Sequence, residues 1–483
     1  MRSPLPLSAP RVVQGSLIEA ALLALFAALV VGLLLELLWR STLTISINQN
    51  EGWNAYLAAS AMEGKRLYFQ PGDFRTDNYP PLSFLLIGAI TQVIPDAVMA
   101  GRTVAWLAFL AIAFAIFGIL RSCGNDRIAA CFGALLFAAF MATYYTSYVG
   151  VDDPQMLANA LTTTALWLML RAEVTSRRAA IAATVMTVAL FIKHNIVALP
   201  IAAAIWLFFQ QRQAAAAFVV TGAIAGLAGL GVCDASFGRD FLAGLTAPRQ
   251  YRFVTAYQKL FRWLQPMQVP LGLAAFVAHP DLSGRFGPCF GLYMIVALLV
   301  GAVGAGGDGI DFNAVFDLVI AFSLAGGHVL GRLRALERHG PETARLFAIG
   351  IGGTLLLYGA LYHATRDAIL VLPRMRAERV EQTETKKLVV LIASRPGPAL
   401  CGNLVFCYWA GKPLMVDIFN FGEAVARGAA DEKKLIALID ARSFSTVEIG
   451  RAGFFPSHTM AALEAHYIEV PTGIAGDRVF VPR

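Results

Sequence analysis

Charge is what this sequence has least of. Asp, Glu, Lys and Arg together make up 15% of its 483 residues, against 57% hydrophobic residues, whereas an ordinary soluble domain is roughly a quarter charged. Such a chain cannot cover itself with a polar surface, which excludes a conventional soluble enzyme, a disordered hub and a secreted disulfide scaffold. Metal-type cysteine spacing is also missing. Cys123, Cys131, Cys233, Cys289, Cys401 and Cys407 form no CxxC and no Cys/His cluster. Only Cys401 and Cys407 lie close together outside the apolar runs, which leaves a disulfide open there. A cleavable leader is not evident: Arg2 and Arg11 precede an apolar run from about Leu17 to Trp39, too long for a signal core and read as a signal-anchor. The net charge of +7 fits membrane orientation and anionic lipid headgroups, and no nucleic-acid partner is expected.

What is present is apolar length. Runs at about 17–39, 102–120, 128–148, 154–170, 179–192, 196–209, 214–233, 265–279, 287–305, 314–330 and 346–364 predict a mainly α, polytopic membrane protein of about eleven spans. Lys193-His194-Asn195 interrupts 179–209 and predicts a tight hairpin between two short spans. Pro80–Pro95 is apolar but short and predicts a helix lying in the interface. With the N-terminus in the cytoplasm, the inner loops hold thirteen arginines, while the three short outer turns 149–153, 193–195 and 306–313 hold one base, Lys193. Two long outer loops, 40–101 and 234–264, carry further bases, among them Arg249 and Arg252. An odd number of spans leaves the tail outside. The chain thus divides into a membrane domain, 1–365, and an extracytoplasmic α/β domain, 366–483. The tail opens on a charged linker, with strand-like runs at Leu388–Ile392, Pro413–Ile418, Thr446–Ile449 and Tyr467–Val470 and a helical stretch at Glu432–Ala441. It has no Gly-rich phosphate loop and no nucleophile elbow.

Acids are scarce and gather on the outer side. Glu51 follows Asn48-Gln49-Asn50 after the first span, Asp152-Asp153-Pro154 ends the third, and Asp308 and Asp311 sit in a Gly-rich turn after the ninth. Ionisable groups at the membrane boundary are costly unless used or solvated. Glu51 stands three residues after Asn48, the spacing of a capping box, and Asp152 or Asp153 is placed to cap a helix opening at Pro154. Capping and catalysis weigh evenly for these acids, whereas Asp308 and Asp311 read as solvated turn acids. Lys193, a lone cation between apolar spans, either snorkels to the interface or neutralises a phosphate. His194 has no second histidine at ligand spacing. Arg249-Gln250-Tyr251-Arg252-Phe253 reads as an interfacial belt or a headgroup site.

The acid-bearing first loop, the Asn78-Tyr79-Pro80-Pro81-Leu82 element and the second acid after the third span resemble the GT-C membrane glycosyltransferases, a group that includes lipid A aminoarabinose transferases and protein O-mannosyltransferases. The resemblance runs from about residue 17 through the Lys193 hairpin and more loosely beyond. It implies transfer of a sugar from a polyprenyl-phosphate carrier to an envelope glycan, lipid or protein acceptor at the outer face of the bacterial inner membrane, usually with inversion. Glu51 then stands at the first-loop acid and Asp152 and Asp153 at the second. Asn78 and Tyr79 stand at the loop element, and Lys193, with His194 beside it, near the carrier phosphate. Arg249 and Arg252 are looser candidates for that phosphate. Many relatives read Asp-Glu where this chain has Asn50-Glu51, so either Glu51 is the base or Asp152 or Asp153 carries it.

Displacement of a lipid phosphate by a hydroxyl needs a carboxylate to take the proton and positive charge for the leaving phosphate. A shared Mg²⁺ or Mn²⁺ between Glu51 and Asp153 is a further reading of the two acids, with no third ligand obvious in the sequence. A lipid-linked sugar flippase predicts mid-span ionisable residues and an internal repeat, neither of which is visible. An inactive scaffold is the third reading, with Asn50 in its favour.

Overall fold

The computed structural model describes residues 10–70, 72–267, 272, 277, 283–337, 362–450, 455–474 and 476–483. Among them are nineteen helices and one four-stranded sheet. Six helices are long and apolar enough to cross a membrane: α1 (Pro10–Ser41), α4 (Ala97–Ser122), α5 (Arg127–Tyr144), α9 (Arg212–Phe237), α12 (Gly287–Ala305) and α13 (Phe316–Glu337). Shorter apolar helices stand among them: α6 (Pro154–Leu170), α7 (Ser176–Ile192) and α8 (Ala198–Gln210). Nine of the eleven predicted runs fall on these helices, while 265–279 and 346–364 lie mostly outside the described residues.

Side-chain caps set the starts of several helices. Asp96 Oδ1 accepts from the Val98 amide before α4, Asp126 Oδ1 from Ala129 before α5, and the Thr175 hydroxyl from Arg178 before α7, each satisfying an amide the helix itself leaves orphaned. Lys193-His194-Asn195 makes the predicted turn between α7 and α8. The Pro80–Pro95 stretch holds only α3 (Leu82–Ile90), a nine-residue helix, about 14 Å long and too short to cross. Apolar faces of the spanning helices pack into one large core, from Phe26 and Leu37 on α1 to Phe322 and Ala325 on α13.

A second core lies where the first long loop meets the tail. Trp53 and Leu57 of α2 (Asn50–Met62) pack there with Leu388, Ile392, Val405 and Phe406. Hydrogen bonds stitch the same junction: Tyr56 to the Lys412 carbonyl (2.6 Å), the Asp417 amide to the Phe74 carbonyl (2.8 Å), Asn403 to the Ser46 hydroxyl (2.7 Å) and Trp409 to Asp96 (3.1 Å). Of the remaining helices, α10 (Arg239–Leu245) and α15 (Val371–Ser394) contribute Phe241, Leu388 and Ile392 to this core, whereas α11 (Phe253–Leu264) and α14 (Tyr362–Ile369) contribute Ala256, Trp263 and Ala364 to the core of the bundle.

The tail corrects part of the sequence reading. Its charged opening is helical rather than a linker, and Leu388–Ile392 is the end of α15, not a strand. The β-rich composition of that run is overridden because Thr385, Leu388 and Ile392, three and four residues apart, share one buried face while Val390 is exposed. Pro413–Ile418 is likewise no strand but the approach to α17 (Ile418–Ala426). Thr446–Ile449 and Tyr467–Val470 are strands as expected (β2 and β3), joined by β1 (Ala399–Cys401) and β4 (Arg478–Pro482) in the order β1-β2-β4-β3. β1 and β2 are parallel, with Leu400 opposite Val447, and the other pairs antiparallel. α16 (Leu404–Trp409), α18 (Lys433–Asp440) and α19 (Ser457–His466) complete the unit. A disulfide joins Cys401 to Cys407.

Candidate active site

One polar cavity of about 630 Å³ opens where the first loop, the turns after α5, α7 and α12, the α10–α11 loop and the tail converge. Ligand sites run from roughly 300 to 1,000 Å³. Every one of these segments falls on the side the sequence assigns to the outer face.

Glu51 lies beneath this cavity and does not line it. It is fully buried, and Arg102 of α4 clasps it with two hydrogen bonds, Nε to Oε1 at 2.7 Å and Nη2 to Oε2 at 2.8 Å. The same guanidinium donates to the carbonyls of Ser41, Leu43 and Ile45, so one buried cation fixes the whole exit from α1. Glu51 also accepts from the Ile47 amide (3.0 Å), while Asn48 Oδ1 accepts from the Asn50 amide (3.0 Å). The predicted capping box is not formed: α2 opens at Asn50 with Gln49 at its N-cap and no side-chain cap, and Glu51 reaches the Ile47 amide instead of that of Asn48.

Asp153 caps a helix and pairs with a buried lysine. Its Oδ1 accepts from the Gln155 amide at 2.8 Å, opening α6 at Pro154, and from Lys193 Nζ at 2.9 Å, while Oδ2 accepts from Asn50 Nδ2 at 3.2 Å. Lys193 is 1% exposed and lies over the Tyr79 ring at 4.8 Å. Burial pulls the ammonium down, but Asp153 and Tyr79 outweigh it and hold Lys193 above the usual lysine range. His194 is pushed down to about 4, by burial first and then by Lys193 and Arg249, so its ring is neutral at pH 7. Asp152 turns away from the cavity against α4, where a Cβ on Gly101 would collide with its carboxyl. Burial first, then the Glu51 and Asp153 charges, hold Asp152 well above the carboxylate range.

The opposite wall combines Arg249, the turn after α12 and the tail. Arg249 Nη1 donates to the Asp308 carbonyl at 2.9 Å, and Gly309, at φ +75°, lets Arg249 and Phe419 close around it where any side chain would clash. Asp311 accepts from the Tyr148 hydroxyl at 3.2 Å. Asp417 accepts from the amide and the side chain of Asn420, and burial pushes its carboxyl up to about 6 against those hydrogen bonds and Arg249.

Asn78, Tyr79, Lys193, His194 and Arg249 thus meet at one cavity. Asp153 touches it through Asn50 and Lys193, and Arg252 sits outside, exposed and paired to Asp308 at 3.0 Å. Glu51 and Asp153 do not fit a shared Mg²⁺ or Mn²⁺, because each is already matched by a buried cation. Among the described residues no group of three or more His, Cys, Asp or Glu can hold a metal. Sequence reasoning missed Arg102, whose signal was a base opening an apolar run, and Asp417, Phe419 and Asn420, which carry no motif. It also missed Asp317, buried near the start of α13 and accepting from Tyr293 at 2.6 Å.

Residues 78–232, which carry Tyr79, Asp153 and Lys193, match the family model described as dolichyl-phosphate-mannose-protein mannosyltransferase. The fold is similar to that of ArnT from Cupriavidus metallidurans, solved both bound to undecaprenyl phosphate and in the apo state: TM-score 0.63 at 14% identity, covering 95% of this chain and 97% of that one. An oligosaccharyltransferase from Archaeoglobus fulgidus matches with TM-score 0.51 at 12% identity over 92% of this chain and 71% of its own. No curated protein matches the chain by sequence. The family match spans the site-bearing turns at 78–232, and the multi-pass helical fold it sits on is similar to that of ArnT along nearly the whole chain.

Proposed function

We propose that this enzyme moves a sugar from a polyprenyl-phosphate carrier to an acceptor hydroxyl, with inversion, in the cavity between the bundle and the tail. The observation that carries the reading is Lys193, an ion-paired cation buried at the floor of a polar cavity next to apolar helices. A buried ammonium placed where a lipid phosphate leaves stabilises the charge that develops on it. Arg249, across the cavity, supplies a second cation. The apolar prenyl chain stays among the spanning helices while the phosphate and sugar enter the polar space. The undecaprenyl phosphate bound to C. metallidurans ArnT supports the carrier class.

Asp153 orients Lys193, and Glu51 acts through Arg102 and Ile47 to fix the Asn48–Asn50 loop, which are positioning roles. Asn78, Tyr79 and the neutral His194 line the same end and offer hydrogen bonds to phosphate or sugar oxygens. Exposed Arg252 is placed to attract anionic headgroups at the rim. The acceptor is an envelope glycan, lipid or protein, and the site faces the outer side of the bacterial inner membrane with the N-terminus in the cytoplasm.

The test is release of polyprenyl phosphate by purified protein in nanodiscs, supplied with a panel of polyprenyl-phosphate sugars and acceptor-containing membrane extract. Wild type should release the carrier from at least one donor, and a folded Lys193→Gln variant should do so at least a hundredfold more slowly. Failure of wild type on every donor would sink the reading.

A further inference from the structure

We propose that Asp311 is the general base that takes the acceptor's proton, an assignment that rests on the glycosyl-transfer reading above. The reaction needs a carboxylate that reaches the reacting oxygen. Among the described residues lining the cavity there are two, Asp311 and Asp417. Asp417 is spent on its own helix: Oδ1 accepts from the Asn420 amide and Oδ2 from the Asn420 side chain. Asp311 is not. It stands at the N-cap position of the short helical turn Phe312–Val315, yet its side chain makes no capping hydrogen bond there. The structural use that a turn acid ordinarily has is absent.

Its carboxylate turns instead to Tyr148, whose hydroxyl donates to Oδ2 at 3.2 Å. Tyr148 is buried and also feels the charges of Asp153 and Tyr79, so it ties Asp311 to the Lys193 end of the cavity, where the phosphate leaves. The turn is braced from behind: Lys259 Nζ donates to the Gly307 carbonyl at 3.1 Å and the Ile310 carbonyl at 2.7 Å. That cation fixes the backbone of the turn and leaves the Asp311 carboxylate unoccupied.

The step balances. The acceptor O–H proton passes to Asp311 as the acceptor oxygen bonds the anomeric carbon. The bond from that carbon to the phosphate oxygen breaks with its electron pair left on the phosphate, which departs as polyprenyl phosphate beside Lys193 and Arg249. The proton on Asp311 is then lost to water.

Asp311→Asn separates a base from a prop. It should slow transfer by on the order of 10²–10⁴-fold while the thermal stabilisation given by undecaprenyl phosphate stays as in wild type. Added azide, a nucleophile with no proton to lose, should restore carrier release and yield the glycosyl azide. Turnover like wild type, or a folded, carrier-binding variant that azide does not rescue, would overturn the assignment. Should Asn at this position prevent folding, Tyr148→Phe serves instead. Loss of its hydrogen bond weakens the carboxylate form, so the acid limb of the rate profile should move to higher pH, and an unmoved limb counts against Asp311. Wild type inert with every donor would instead remove the glycosyl-transfer reading itself.

Discussion

At the scale of single residues, the two buried ion pairs have different consequences. Glu51 and Arg102 share a dry interior, and removing one charge leaves the other uncompensated, which costs about 3–5 kcal/mol. Glu51→Gln should therefore lower the melting temperature in detergent, and adding Arg102→Met should recover much of the loss. A Glu51→Gln variant that melts like wild type but loses turnover would return this acid to the chemistry. Asp153 and Lys193 were legible in the sequence because each is a charge at the end of an apolar run, Asp153 in the Asp152-Asp153 pair and Lys193 as a lone cation. Their pairing was not, since it joins turns forty residues apart in the chain. Arg102 was hidden as the opening residue of a span, and Asp311 by the Gly-rich company that made it look solvated.

At the scale of elements, hydropathy carried the spans well because burial in lipid leaves an unbroken signal. The tail was harder to read: short β-like runs are ambiguous, and α15 was settled by which face met the first loop. β2 carries a further liability. Glu448 is fully buried, its Oε2 accepts from the Asn403 amide at 2.9 Å, and Oε1 has no partner. Burial pushes its carboxyl up to about 8. Because the folded group binds its proton more tightly than the unfolded one, its contribution is favourable below about pH 4.5 and is lost as pH rises through about 8. Melting scans should show Tm falling over that window in wild type. Glu448→Gln should flatten the fall and raise Tm at pH 8. An unchanged slope would mean that Glu448 is not the titrating group.

At the scale of the whole molecule, the tail closes the cavity, so both must lie on one side of the membrane. Disulfides persist in oxidising compartments, and the Cys401–Cys407 bridge flanks Gly402, which lines the cavity. In intact spheroplasts these two thiols should resist an impermeant maleimide until an impermeant reductant is added. Thiols that stay unlabelled after reduction in intact spheroplasts, yet label once the membrane is permeabilised, would put the tail in the cytoplasm and reverse the proposed orientation. The lengths of α8 and α9 bear on depth. α9 has 26 residues, but α8, which leads down from the Lys193 turn, has 13, spanning about 20 Å of a hydrocarbon layer roughly 30 Å thick. With the foot of α8 at one interface, a helix of that length would end about 10 Å short of the other, so the proposed reading sets Lys193 below the level of the headgroups. A lipid-borne phosphate then meets its counter-ion by sinking with its own chain, and it is the water-soluble end of an acceptor that must make the descent.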